Sequence, residues 1–164
     1  MVISSENFRD EELFDTKRAL EENGTEVKIA STALNLAKGK LGGSIKPDML
    51  FNDISIEKFD AIIFIGGVGC IVYWDDSLAH KLLNDFIRSG KIAAGICSAV
   101  VTLARAGILK GKRATVFSGD SKELTDKGAN YTAGNLERDG NIITASGPAA
   151  AYAFGKKIAD ALKE

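Results

Sequence analysis

The sequence predicts an α/β fold built on a mainly parallel sheet. Three observations lead there. Apolar, strand-like runs alternate with helical patterns along the whole chain. One of these runs, Ala61-Ile62-Ile63-Phe64-Ile65, is apolar on both faces, as parallel strands covered from both sides are. Two of them, 61–65 and 92–96, end in sharp turns, and ligand sites of open α/β sheets lie beyond such carboxyl ends.

Taken in order, Val2-Ile3 is the stub of a first strand. Asp10 to Asn23 is helical, with Leu13, Phe14, the stem of Lys17 and Leu20 on one side and Gly24 as C-cap. Glu26 to Ala30 alternates like a strand. Residues 32–58 are less regular: 38–43 reads as turns with a short hairpin, and Pro47 belongs at an edge or in a loop. After the 61–65 strand and its Gly66-Gly67 loop, Ser77 to Ser89 forms a helix. It presents Leu78, Leu82, Leu83, Phe86 and Ile87 inward, is capped by Asp76 or Ser77, and ends at Gly90. Ile92–Ile96 is a strand running into Cys97, followed by a helix to about Ala106 that stops at Gly107. Lys112–Phe117 is a further strand and Ser121–Lys127 a short helix ending at Gly128. Asn130–Thr132 and 136–144 are strand segments, the latter folded about an Asp139-Gly140 turn. The last helix runs from about Pro148 to Leu162, with proline where its missing N–H costs nothing.

At 164 residues the chain is expected to form one domain, 1–164, and its 45% hydrophobic and 26% charged residues are ordinary for a globular protein. A net charge of −1 gives no reason to expect nucleic acid or an anionic membrane as partner, and no apolar run approaches membrane-span length. The start, Met1 to Ser5, has no basic region and is too short for a signal peptide, so a cytoplasmic location is expected. Two cysteines make no disulfide framework, and two Cys with one His are too few for an ordinary structural zinc site. No metal and no cofactor are expected.

Chemistry concentrates at Cys97, in Gly95-Ile96-Cys97-Ser98-Ala99. A strand-to-helix corner pushes one side chain out at the carboxyl end of a sheet and aims the first free N–H groups of the helix at it. Those donors and the helix dipole lower a thiol's pKa, and the thiolate is the reactive form. The G-x-S-x-G corner of α/β-hydrolases works this way with serine. A small buried core residue is the equally balanced alternative on this pattern alone. Gly66 and Gly67 leave backbone N–H groups unobstructed beside the same space; with the Ser98 N–H they form a candidate oxyanion hole, although a glycine pair also suits any tight turn.

These pieces, in order, resemble the ThiJ/PfpI family, also called the DJ-one superfamily, of class I glutamine amidotransferase-like fold. The matching segments are Glu12 within Phe8-Arg9-Asp10-Glu11-Glu12-Leu13, the strand and loop from Phe59 to Gly67, Gly95-Ile96-Cys97, Gly107 to Gly111, and Ser146-Gly147-Pro148. They span nearly the whole chain. The resemblance implies a flavodoxin-like three-layer sandwich with a cysteine nucleophile elbow, Cys97 as nucleophile, Glu12 as its acidic partner, Gly67 and Ser98 as oxyanion-hole backbone donors, and a homodimer or larger homo-oligomer. An ionised Glu12 would raise the thiol's pKa, whereas a protonated one would donate a hydrogen bond to a thiolate or an oxidised sulfur, so the two groups are expected to share one proton near neutral pH.

Two departures narrow the function. Peptidase-like relatives place a histidine directly after the nucleophile, where this chain has Ser98; others supply one from the strand that here ends near Phe117. The sole histidine, His80, falls opposite the Leu78/Leu82/Leu83/Phe86 stripe and is expected to be solvated, unless a partner subunit offers its own copy. Ser146 also replaces an arginine that many relatives carry before Gly-Pro. The expectation is glyoxalase- or deglycase-like chemistry on small aldehydes or their adducts, with Glu12 moving the proton in place of histidine. The alternative is a non-enzymatic redox sensor or stress-response protein acting through oxidation of Cys97. A cysteine peptidase comes third. Bordering the pocket, Cys70 is either a loop residue packed beneath a lid or a resolving thiol. Tyr73 and Trp74 are lid residues that either stack on a ligand and exclude water or make a subunit contact.

Overall fold

The two central strands are apolar on both faces, and the core is accordingly double. The computed structural model describes residues 1–164. Its strands are β1 (Glu6–Phe8), β2 (Ala30–Ser31), β3 (Ala37–Gly39), β4 (Ser44–Ile45), β5 (Met49–Leu50), β6 (Ala61–Phe64), β7 (Ile92–Ile96), β8 (Arg113–Ala114), β9 (Asn130–Tyr131), β10 (Leu136–Asp139) and β11 (Ile142–Ala145). Its helices are α1 (Asp10–Glu22), α2 (Ser77–Arg88), α3 (Val100–Arg105), α4 (Ser121–Asp126) and α5 (Ala151–Ala161).

The central sheet runs β10-β11-β7-β6 and continues through Val2, which bridges in parallel to both Phe64 and Ala30, to β2 and β5. Only the β10–β11 hairpin is antiparallel, folded at Asp139-Gly140 as the sequence predicts. Alternation along β6 and β7 divides the apolar side chains. Ile62, Phe64 and Ala93 join Leu82, Leu83 and Phe86 of α2 and Val100 and Leu103 of α3. Ile63, Ile65, Ile92, Ala94 and Ile96 join Leu13 and Leu20 of α1 and Phe154 and Ile158 of α5 on the other face. The result is the expected three-layer α/β arrangement. No helix is long and apolar enough to cross a membrane.

On the α1/α5 face the two helices nearly touch. A Cβ on Gly155 would lie 2.6 Å from the Thr16 carbonyl oxygen and 2.8 Å from the Ala19 Cβ, so only glycine allows this crossing. The Thr16 hydroxyl donates to the Ala151 carbonyl at 3.1 Å across the same contact. At its other end α1 starts without a side-chain cap, but three acids, Asp10, Glu11 and Glu12, occupy the first turn, where the helix dipole favours negative charge.

Several strands are shorter than the apolar runs suggest, because side chains take over N–H groups that a ladder would use. The Glu26–Ala30 run pairs only at Ala30 and Ser31, and the Ile29 N–H donates to the Asp48 carboxylate at 2.7 Å. In the run 112–117 only Arg113 and Ala114 form a ladder, with β9. The next N–H, of Thr115, donates to the Thr144 hydroxyl at 3.0 Å. The Val2-Ile3 stub lies at the centre of the molecule, with Val2 N–H donating to Ile63 O at 2.7 Å and Ile3 N–H to Ala30 O at 3.0 Å. A separate small sheet of order β1-β3-β4 then carries the chain towards α1.

Candidate active site

The parallel register sets the site. Ala61 lies opposite Ile92 and Phe64 opposite Gly95, an offset that carried two residues further places Gly66 opposite Cys97. The two strands therefore end side by side. β7 stops at Ile96, and Cys97 adopts φ +57°, the left-handed region that disfavours a side chain by about 1–2 kcal/mol. A 3-10 turn over Cys97–Ala99 then leads into α3. The left-handed residue turns the chain from strand to helix within one position and leaves the half-buried Cys97 side chain at the corner.

Glu12, in the first turn of α1, reaches the same point. It is fully buried, and its Oε2 accepts the Gly66 N–H at 3.0 Å. A Cβ on Gly66 would stand 2.5 Å from that oxygen and 2.8 Å from the Cys97 Cβ, so carboxyl and thiol meet across a residue with no side chain. The Arg9 N–H donates to the Gly66 carbonyl at 3.0 Å, docking the loop before α1 on the end of β6. Glu12 Oε1 has no hydrogen-bond partner. An orphaned carboxyl oxygen in a buried position is costly unless it carries a proton or receives one from something in the site.

The electrostatics follow from this enclosure. Burial pushes the Glu12 carboxyl up to about 7, against the opposing pull of Cys97, the Gly66 N–H and the Arg9 guanidinium. Burial also pushes the Cys97 thiol up to about 12, and the charge of an ionised Glu12 pushes the same way; the Ser98 N–H and hydroxyl pull it down. The thiol-lowering effect expected of the corner is thus present in Ser98 but outweighed by burial and the neighbouring acid. Near neutral pH the carboxyl, not the thiol, stands at the midpoint of its ionisation.

Gly67 takes φ +97° directly after Gly66, and its N–H has no partner within the chain. Further along, the side chains expected as a lid are placed differently. Tyr73 is buried: its ring packs on Phe51 and Phe64, with centroids at 4.9 and 5.6 Å, and its hydroxyl donates to the Ile3 carbonyl at 2.8 Å. It belongs to the core, not to a lid. Cys70 is 1% exposed and lies in the α2/α3-side core, whereas Cys97 packs against the α1/α5-side core. Both cysteines are free, and burial pushes the Cys70 thiol up to about 12. Trp74 is half-buried, with its indole N–H donated to the Ser98 carbonyl at 2.9 Å and one ring face under the Arg105 guanidinium at 4.9 Å. His80, expected in solvent, is half-buried with Nε2 2.8 Å from the Trp74 carbonyl. Phe117 is 48% exposed. Arg105, which sequence reasoning did not single out, owes its place to acids from two other segments, Asp75 and Glu123, and no local pattern announces that.

The profile of the DJ-1/PfpI family matches residues 1–161. The chain belongs to this family. Among DJ-1/PfpI relatives, uncharacterized protein MJ0967 of Methanocaldococcus jannaschii is 38% identical over all of this chain and 82% of its own length. Deglycase PfpI of Pyrococcus furiosus is 29% identical over 99% of this chain and 98% of its own. The crystal structure of a ThiJ/PfpI domain protein from Brachyspira murdochii superposes with a TM-score of 0.96 at 40% identity, covering 99% of this chain and 94% of that one. The α/β fold read from the sequence is the fold of this DJ-1/PfpI structure.

Proposed function

We propose that the protein carries out cysteine-dependent, deglycase- or glyoxalase-like chemistry on small aldehydes or their adducts, with Cys97 as nucleophile and Glu12 as the group that moves the proton. The observation that carries this reading is the buried Glu12 carboxyl, unpartnered at Oε1 and set against Cys97 across Gly66. A general base works best with a pKa near the working pH, and burial brings Glu12 there. As the Cys97 sulfur adds to a carbonyl carbon, the Glu12 carboxylate takes the thiol proton. The carbonyl π pair moves to oxygen, and the N–H groups of Gly67 and Ser98 receive the developing negative charge. Glu12 then returns the proton to that oxygen, giving a neutral hemithioacetal and regenerating the carboxylate. The likeness to Pyrococcus deglycases along nearly the whole chain supports the same class of substrate. The chain's one histidine, His80, is engaged with the Trp74 carbonyl, which leaves Glu12 as the acid that meets Cys97.

A second reading rests on the same unpartnered oxygen. In it a protonated Glu12 carboxyl, whose Oε1 has no other partner, donates to an oxygen on an oxidised Cys97, and a protein using it that way would report on oxidants without turnover. Methylglyoxal consumption that disappears in Cys97→Ser supports the enzyme. Addition of two oxygens at Cys97 under mild peroxide, with no consumption, supports the sensor. Assembly as a homodimer is part of the proposal: Val68, Ile71 and Val72, just after Gly67, are 60%, 51% and 58% exposed, and light scattering of the purified protein checks it.

A further inference from the structure

We propose that Trp74 is a positioning residue for the Cys97 corner, holding Ser98 from outside the helix and with it the backbone turn that carries the thiol. The inference rests on Cys97 being the reactive group, as proposed above.

A chain of contacts carries it. The indole N–H of Trp74 donates to the Ser98 carbonyl at 2.9 Å, a bond from a separate loop to the first turn of the helix. The Trp74 backbone is held in turn, because its carbonyl accepts from His80 Nε2 at 2.8 Å. The ring is pinned from above by Arg105 at 4.9 Å, and Arg105 is fixed by Asp75 at 2.6 Å and by Glu123 at 3.1 and 3.2 Å. Asn84 of α2 then donates to both the His80 carbonyl and the Ala106 carbonyl at 2.9 Å, closing the frame between α2 and the end of α3.

Such a frame has a purpose at this corner. Cys97 holds a left-handed conformation that relaxes when its surroundings allow. The first turn after it is a 3-10 turn, whose hydrogen bonds constrain the chain less well than those of an α-helix. Ser98 is the residue whose N–H and hydroxyl oppose the upward push on the thiol. Fixing the Ser98 carbonyl by a donor outside the helix therefore fixes the residue on which the reactivity of Cys97 depends. The indole N–H and one face of Trp74 are thereby occupied from within the chain.

Trp74→Phe tests this. It keeps an aromatic ring under Arg105 and removes the N–H together with the indole's second ring, and Tm reports the packing lost with that ring. The measurements are the alkylation rate of Cys97 by iodoacetamide between pH 6 and 9, and kcat and KM for methylglyoxal, beside the melting temperature. The expected result is alkylation about threefold slower at each pH, the loss of thiolate that a rise of about half a pH unit in the thiol brings. A fall in kcat with KM unchanged and little movement in Tm completes it. An alkylation curve that superposes on wild type overturns the proposal. Should Trp74→Phe fail to fold, His80→Leu decides the matter: slower alkylation at unchanged Tm supports the frame, and an unchanged curve overturns it. A wild type that consumes no methylglyoxal defeats the reading of the site itself; a wild type that turns it over, with an unshifted Trp74→Phe alkylation curve, defeats only the frame.

Discussion

Glu12 and Cys97 meet across Gly66, where a single added carbon would touch both. A Cβ there stands 2.5 Å from Glu12 Oε2, 2.8 Å from the Cys97 Cβ and 2.9 Å from the Ile96 carbonyl oxygen. Gly66→Ala is expected to separate the pair and to lower methylglyoxal turnover by about 100-fold, the scale on which small misplacements act in enzymes. Steady-state kinetics measure it. Turnover within twofold of wild type would show that the pair does not act as a unit.

The raised carboxyl pKa makes stability depend on pH in a stated direction. Glu12 moves from the usual 4.5 to about 7, so the folded protein holds this proton more tightly than the unfolded chain. Its contribution is fully present below pH 4.5 and is lost as pH rises through 7. At about 1.4 kcal/mol per pH unit the loss approaches roughly 3 kcal/mol. Urea unfolding at pH 5 and pH 8 should show this decline in wild type and little of it in Glu12→Gln.

The left-handed Cys97 implies a conflict between stability and reactivity. Glycine takes φ +57° without steric cost, whereas a Cβ there is disfavoured by about 1–2 kcal/mol. Cys97→Gly is therefore expected to be more stable than Cys97→Ala by about 1 kcal/mol, while both lose turnover. Paired denaturation curves settle the comparison. Equal stability would mean that the corner relaxes once the sulfur is gone.

Asp10 ties a distant hairpin to the start of α1. Its two oxygens accept the N–H groups of Leu41 and Gly43 at 2.8 and 2.6 Å. Asp10→Ala leaves both donors without this acceptor and is expected to destabilise by about 1–3 kcal/mol. Asp10→Asn, whose amide keeps one accepting oxygen, should fall between. Hydrogen exchange at Leu41 and Gly43 should quicken in the same order.

Much of this was legible in the sequence because it is written in local patterns. β7 runs from Ile92 to Ile96, as its apolar run implies, and α1, α2 and the Asp139-Gly140 hairpin fall within a residue or two of their expected bounds. Gly66 and Cys97 converge because the parallel register has one offset, Glu12 joins them because the start of α1 docks on Gly66, and family order pointed to all three. What escaped was set by contacts between distant segments. Periodicity places His80 on the outer side of its own helix but says nothing of the Trp74 carbonyl preceding that helix, to which the ring turns back. Tyr73 reads as an exposed aromatic in a loop, yet two phenylalanines and the Ile3 carbonyl draw it inside. The truncated strands Ala30–Ser31 and Arg113–Ala114 failed the pattern because the Asp48 and Thr144 side chains supplied acceptors to the N–H groups of Ile29 and Thr115 that no alternation rule anticipates.

The close crossing of α1 and α5 at Gly155 also governs how the molecule can be made. One face of the sheet, with Ile3, Ile63, Ile65, Ala94, Ile96 and Ile143, is covered by the first helix and the last. During synthesis α1 leaves the ribosome with half of its cover missing, and no intervening helix replaces it, since α2 and α3 pack on the opposite face. The nascent chain therefore carries an open apolar face until α5 emerges, and the corner at Cys97 is translated long before the layer beneath it can close.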